Sequence, residues 1–533
     1  MTDKEFDKRV SGLRINPEMI EKIVVEIPGQ EPYVIPNEPG KQKSLQIYAA
    51  ITKYDSTITP KEAQEGLDIF GLPLIAETAT HPGMHRSIEV LNQIRSSGKS
   101  ARCYVHRVPN AKPLPATYRD LESIAEKFGT PFILYDAAGA KDTLRTIKSA
   151  FSWNSGFREY FAVKSAPNPH LLEFMRFEGA GADCSSDPEL YLSEAVGMSG
   201  EELFFSSNNT PGKEFVHADK AGAIINFDDL THLDFFMKNI GHRLPEIGCV
   251  RYNPGEERTG NSIIGNPIDA KYGLTREQVY QAFERMREMG VRRFGLHTMV
   301  ASNSLNPQYH IDTAKMLFNL SVDIKRKLGI GVEFVNLGGG WGVNYKPEQI
   351  QINPHEISQG IREAYKEIIA KNNLGPVKIF MENGRFVTGP NGILVSRVIH
   401  EKHIYKEYLG VDATMADFMR PAIYDIYQHA QIAGKEHLPK DHVYDVVGSL
   451  CENSDKFAVN RPLPKTEIGD LFVLHDAGAH GRAMGFNYNA KLRCQELLLH
   501  SDGNVEMIRR PETRQDYFAT LDFPGSRFSN LSK

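Results

Sequence analysis

Between about residue 130 and Met381 the chain alternates short apolar runs with amphipathic stretches, and this rhythm constrains its fold more than any other feature. Candidate strands are "YFAV" (160–163), "GADC" (181–184), "LFFS" (203–206), "AIIN" (223–226), "CVRYN" (249–253), "RFGLH" (293–297), "EFVNL" (333–337) and "KIFM" (378–381). Between them lie segments such as "PHLLEFMRFEG", "DPELYLSEAVG" and "REQVYQAFERMREMG", whose apolar residues recur at helical spacing. Eight β/α units in roughly 250 residues have the size of a closed (β/α)₈ barrel of the TIM type. An open doubly wound sheet has a similar pattern, so the count favours the barrel without imposing it.

After Met381 the rhythm changes. "GILVSRVIHEKHI", "HVYDVVGSL", "DLFVLHDAG" and "RCQELLLHSDGNVEMIRRP" read as strands and turns, with "MRPAIYDIYQHA" as a helix. The expected organisation is therefore an N-terminal extension (1–115), a barrel (116–395) and a mostly β domain (396–533). A strand at 131–136 is expected to join the β domain. In the extension "KSLQIYAAITKY" and "RSIEVLNQIRSSG" look helical and "IPGQEPYVIPNEPGK" looks like loop; its role is open. A net charge of −5 gives no reason to expect nucleic-acid or membrane partners, and no segment is apolar enough to span a bilayer. The first ten residues are charged and do not read as a secretory leader. Five scattered cysteines fit a reducing cytoplasm. The 18 histidines form no metal-ligand spacing, so no metal is expected.

Polar and glycine residues gather at the C-terminal ends of the candidate strands: Lys164, Asp183, Ser185, Asn208, Asn209, His297, Gly338–Gly340 and Glu382. In a barrel those ends meet at one mouth, where active sites form. A lysine that closes an apolar strand is ordinarily solvated or paired. Here it shares the mouth with "NLGGGWG" (336–342), a glycine run placed to hold a phosphate, and with the acid of "MENGRFV" (381–387). Lysine, phosphate nest and acid together suggest pyridoxal 5′-phosphate, with Lys164 bound to its aldehyde and Glu382 facing its ring nitrogen.

These residues resemble a family, the fold-type III pyridoxal-phosphate decarboxylases, and among them the diaminopimelate decarboxylases. The segment "YFAVKSAPNPHLLEFMRFEGAGADCSSDPELYLSEAVG" is similar to the family's lysine segment. "GTPFILYD", "FVNLGGGWG", "ENGR", "MRPAIY", "VVGSLCENSD", "GDLFVLHDAGAHG" and "GFNYNA" follow in the family's order, over about residues 120 to 520. The resemblance implies an alanine-racemase-like barrel followed by a β domain, and a homodimer with shared active sites. It implies that Lys164 carries the cofactor as a Schiff base. Asp183, Ser302, Gly338, Gly339, Gly340, Glu382, Gly384, Arg385 and His480 would surround that cofactor. Cys451 would enter from the partner subunit as the proton donor. Arg385, Arg420, Tyr424 and Glu452 would hold the distal end of meso-diaminopimelate, an arginine fork being suited to a carboxylate. The product would be L-lysine.

The chain departs from the family pattern at several points. The family's "GLHCHIGSQ" is "GLHTMVASN" here, so Met299 stands for the histidine stacked on the cofactor and Ala301 for a glycine. His480 replaces the tyrosine of "GAYG", and Asn383 the proline of Glu-Pro-Gly-Arg. Methionine can pack on an aromatic ring but carries no charge. A decarboxylase for another dibasic acid, such as D-lysine, D-ornithine or carboxynorspermidine, is therefore the alternative reading. A catalytically dead regulatory relative is a third, against which the presence of Lys164, Glu382 and Cys451 weighs.

Overall fold

The computed structural model describes residues 3–521 except 14, 16, 18–19, 53–56, 108–111, 261–262 and 264. Its first unit is a four-stranded antiparallel sheet of β1 (Ile20–Glu26), β2 (Tyr33–Pro36), β3 (Thr57–Ile58) and β4 (Ala101–Arg107), in the order β2-β1-β4-β3. The alternation in "IEKIVVE" puts Ile20, Ile23 and Val25 into a core of their own with Leu45, Tyr48, Leu67, Leu91 and Ile94 from the covering helices. Helices form at Gln42–Ile51 and Arg86–Ser97, where the sequence reads as helical. The stretch expected as loop differs, because it contains β2, a four-residue strand hidden among prolines and glycines.

A strand β5 (Phe132–Asp136) precedes the barrel. The barrel strands are β6 (Arg158–Ala162), β7 (Gly181–Cys184), β8 (Leu203–Phe205), β9 (Ile224–Phe227), β10 (Ile247–Arg251), β11 (Arg293–His297), β12 (Phe334–Asn336) and β13 (Lys378–Met381). They are parallel and close on themselves. Three of the following helices begin with Asn-Pro: Asn168, Asn306 and Asn353 each accept a backbone N–H two residues on, at 3.1, 3.0 and 2.9 Å. The asparagine satisfies a free donor of the first turn and the proline supplies helical φ. Inside the barrel Tyr160, Phe204, Phe334 and Phe380 pack as an aromatic floor, with Phe334 and Phe380 stacked at 4.5 Å between centroids. Gly295 leaves room for it, since a Cβ there would lie 2.0 Å from the Phe334 ring. His297 rests on this floor, its ring 5.8 Å from that of Phe204.

The last part is mostly β: β14 (Gly392–His403), β15 (Glu407–Val411), β16 (Ala430–Ile432), β17 (His442–Val447), β18 (Lys456–Leu463), β19 (Leu471–Leu474), β20 (Gln495–Leu499) and β21 (Val505–Arg509). β5 inserts into its sheet, antiparallel to β14 and parallel to β20, so the chain visits this sheet before and after the barrel. The helix expected over "MRPAIYDIYQHA" is confined to Arg420–Tyr424. Asp425 then turns left-handed with φ 48°, and β16 begins at Ala430, pairing with β19 instead.

Candidate active site

Lys164 follows β6 in a single 3₁₀ turn, Val163–Ser165, which swings its side chain over the mouth. Its Nζ lies 3.1 Å from Asp183 Oδ2. The lysine side chain is 49% exposed and the Asp183 side chain 1%, so the amine stands in an open well walled by buried groups. Burial pulls the amine's pKa down, but Asp183 and Glu382 outweigh it and hold the amine above its ordinary value. Burial, then Glu382, pushes the Asp183 carboxyl upward against the pull of Lys164, and its Oδ1 has no partner among the described residues.

Glu382, just past β13, is fixed from two sides. Its Oε1 accepts from Asn336 Nδ2 at 2.7 Å, and its Oε2 lies 3.3 Å from His297 Nε2. Asn226 Nδ2 donates to His297 Nδ1 at 3.0 Å, so the ring proton belongs on Nε2 and is donated to Glu382. Burial depresses the imidazole and keeps it neutral. Burial works against the Glu382 carboxylate too, but His297, Lys164 and Arg251 outweigh it and keep it ionised. Asn226, Asn336 and Arg251 were not singled out by sequence reasoning. Their signal is a polar residue at or next to the last position of an otherwise apolar strand.

The glycine run forms the adjoining rim. Gly338 N–H donates to Asn336 Oδ1 at 3.0 Å, and Gly339 N–H points to Met299 Sδ at 3.3 Å. A Cβ on Gly339 would meet the Glu382 carbonyl oxygen at 2.2 Å. One on Gly340, whose φ is +92°, would meet that of Ala301 at 2.4 Å. These backbones approach as closely as glycine allows. Gly384 faces Ser165 Oγ, 2.6 Å from its would-be Cβ. Arg385 donates to Tyr345 Oη at 2.7 Å and lies 3.5 Å from Ser302 Oγ. His480 N–H donates to Ser165 O at 2.8 Å; burial, then the charges of Arg385, Arg420 and Lys164, holds its imidazole well below the usual value.

Arg420 completes the well. It is 1% exposed, and among the described residues its Nε and Nη2 have no partner. Its guanidinium lies 5.6 Å from each of the rings of Tyr345 and Tyr424. Burial, with Arg385 adding, pushes it down to about 10. Cys451 and Glu452 are not brought here. They sit exposed on the turn between β17 and β18, with Cys451 N–H bound to Asn489 Oδ1 at 2.8 Å and its Sγ 3.5 Å from Tyr488 Oη. Asn383 also has a physical reason: its N–H donates to buried Glu159 Oε1 at 2.5 Å, a bond proline cannot make.

An amine in an open well, a fixed carboxylate, a glycine rim and two arginines are a donor set for an aldehyde cofactor with a basic ring nitrogen and a phosphate. A parallel barrel with its lysine after the first strand and a trailing β domain is the frame of the fold-type III enzymes. The family model for "Pyridoxal-dependent decarboxylase, pyridoxal binding domain" matches residues 141–389. Residues 13–105 match a model described as "Uncharacterized protein conserved in bacteria". The chain is 39% identical to Protein TabA of Pseudomonas amygdali pv. tabaci over 403 residues, covering 76% of this chain and 94% of that protein. It is 32% identical to the diaminopimelate decarboxylase of Archaeoglobus fulgidus over 406 residues, covering 75% and 95%. The crystal structure of diaminopimelate decarboxylase from M. jannaschii in co-complex with L-lysine superposes with a TM-score of 0.69 at 27% identity, covering 75% and 94%.

The chain belongs to the pyridoxal-dependent decarboxylases of fold type III. It is a carboxy-lyase whose cofactor is pyridoxal 5′-phosphate. Among the described residues no helix is long and apolar enough to cross a membrane, and no group of three or more His, Cys, Asp or Glu could hold a metal ion.

Proposed function

We propose that this decarboxylase converts meso-diaminopimelate to L-lysine and CO₂, a step of lysine biosynthesis. Arg420 carries the reading. A fully buried guanidinium with two donor nitrogens unpaired among the described residues is costly unless an anion arrives to meet it, and a distal carboxylate answers that need. The relatives named diaminopimelate decarboxylase support the same choice.

Lys164 would anchor the cofactor. Pyridoxal phosphate, when bound, supplies a sink for the electron pair left as the carbon–carboxylate bond breaks. Glu382, steadied by Asn336 and His297, would keep the ring nitrogen protonated. Gly338, Gly339, Gly340, Gly384 and Ser302 would face the phosphate, with His480 beside them. Asp183 would hold the released amine in place. Arg385, Arg420 and Tyr424 would grip the distal amino-acid end.

The thiol of Cys451, with Glu452 beside it, would come from a second copy of the chain and return one proton to the carbon that lost CO₂. Both are exposed, and among the described residues neither bonds to the barrel mouth of its own chain. The homodimer is inferred from this. Five unpaired cysteines suit a reducing cytoplasm. The test is product analysis: meso-diaminopimelate should yield L-lysine. Mixed inactive Lys164→Ala and Cys451→Ser chains should recover part of the activity through hybrid dimers. D-lysine as product, or no recovery on mixing, would contradict the assignment.

A second reading follows from Met299. With a thioether in place of the stacked imidazole, the pocket could serve another dibasic acid, D-lysine, D-ornithine or carboxynorspermidine. The 39% identity to Protein TabA, above the 32% to a diaminopimelate decarboxylase, favours keeping it in the substrate panel.

A further inference from the structure

The linker between the N-terminal sheet and the catalytic part contains Lys112, which bonds into the catalytic part. We propose that Lys112 is a positioning residue for the distal end of the substrate pocket, coupling that linker to catalysis. The inference rests on the reading that Arg385 and Arg420 line that end.

Lys112 lies past the end of β4, outside the family-matched barrel. Its side chain is 10% exposed and that of its partner Asp476 is 4%. Its backbone N–H donates to Gln431 Oε1 at 2.6 Å. Its ammonium donates to the carbonyl of Asn344 at 2.6 Å and pairs with the Asp476 carboxylate. Those two acceptors belong to separate segments, and each runs directly into the well.

Asn344 precedes Tyr345. That tyrosine's hydroxyl accepts from Arg385 Nη1 at 2.7 Å, and its ring lies 5.6 Å from the Arg420 guanidinium. Asp476 opens the turn that ends at His480, left-handed at both ends with φ 55° and 54°. His480 N–H binds the carbonyl of Ser165, next to Lys164. One ammonium thus ties the segment behind both arginines to the turn beside the cofactor lysine.

Holding a linker against a protein needs only apolar contact, which Leu114 already provides from the core under the β sheet. A buried lysine is a costly choice for that task. Two acceptors fixed by one charge suit a different one, setting the spacing of two segments. Through Lys112 the linker bears on how tightly the arginines are held.

The experiment is a double-mutant cycle of Lys112→Met and Tyr345→Phe in the full cofactor-loaded chain. It uses whichever acid of the substrate panel gives most CO₂, so it runs even if meso-diaminopimelate is not the substrate. Lys112→Met should lower kcat/KM by about 10²-fold, mainly through KM, as an ångström-scale displacement of binding groups does. The cofactor's visible absorbance should be kept, and Lys112→Arg should restore part of the loss. On the Tyr345→Phe background the same change should cost far less, because its route to Arg385 is already cut. A lower melting temperature with unchanged KM, or full additivity with Tyr345→Phe, would overturn the proposal. Should Lys112→Met not fold, Asp476→Asn enters the same cycle with the same two deciding outcomes.

Discussion

Replacing Arg420 by methionine should make the ligand-free protein more stable while disabling it. Burial is the chief cause that pushes the guanidinium down to about 10, which corresponds to a penalty of ~3 kcal/mol for keeping it charged. Its contacts with the rings of Tyr345 and Tyr424 return ~1 kcal/mol. Methionine fills the space without the charge, so a net gain of ~2 kcal/mol is expected, in the range seen when buried charges give way to apolar side chains. Because the folded pKa is lowered, the penalty is present at every pH below about 10, and melts at neutral pH read it in full. The functional cost is larger. Truncating one side of a buried ion pair loses about 2–5 kcal/mol, so kcat/KM for meso-diaminopimelate should fall about 30- to 5,000-fold. Acids without a distal carboxylate should lose much less. Thermal melts of cofactor-free protein and kinetics on both substrate kinds read the two halves. A variant that melts lower and loses equally on all substrates would refute the reasoning.

Glu382→Gln should lower kcat by about 10²–10³-fold with little change in KM, since it removes the anion opposite the cofactor ring; a loss under tenfold in steady-state kinetics would contradict that role. Gly340→Ala forces a methyl to 2.4 Å from the Ala301 carbonyl at φ +92°, so cofactor dissociation, followed by its absorbance, should rise about tenfold, for a strain of ~1–3 kcal/mol. Burial pushes the Glu159 carboxyl up to about 8, so the folded chain keeps a proton that the unfolded chain releases near pH 4. Stability should therefore fall as pH rises from about 4 to about 8, and Glu159→Gln should flatten that slope in pH-dependent melts.

The barrel could be read from the residues because each strand is a short apolar run of its own, and "GADC", "RFGLH" and "KIFM" coincide with β7, β11 and β13 to the residue. In the N-terminal sheet β2 and β3 could not, because they hold only four and two residues and lie among turn-forming ones, whereas the seven-residue β1 and β4 were within reach of the sequence. The helix after Met419 stopped early for a reason local sequence conceals: β16 is claimed by pairing with β19, a tertiary contact. In the site, Lys164, Asp183, Glu382 and the glycines were visible from their strand-end positions. The Asn226–His297–Glu382 relay was not, since it joins β9, β11 and β13, far apart in the chain. Lys112 gave no signal at all, being one lysine in a loop whose partner stands more than three hundred residues away.

The most direct measurement is CO₂ release by the purified, cofactor-supplied protein from meso-diaminopimelate, D-lysine and D-ornithine in parallel, with Lys164→Ala as control. Release from meso-diaminopimelate well above the others, abolished in Lys164→Ala, is the predicted result. Release mainly from a D-diamine acid, or release that survives loss of Lys164, would contradict it.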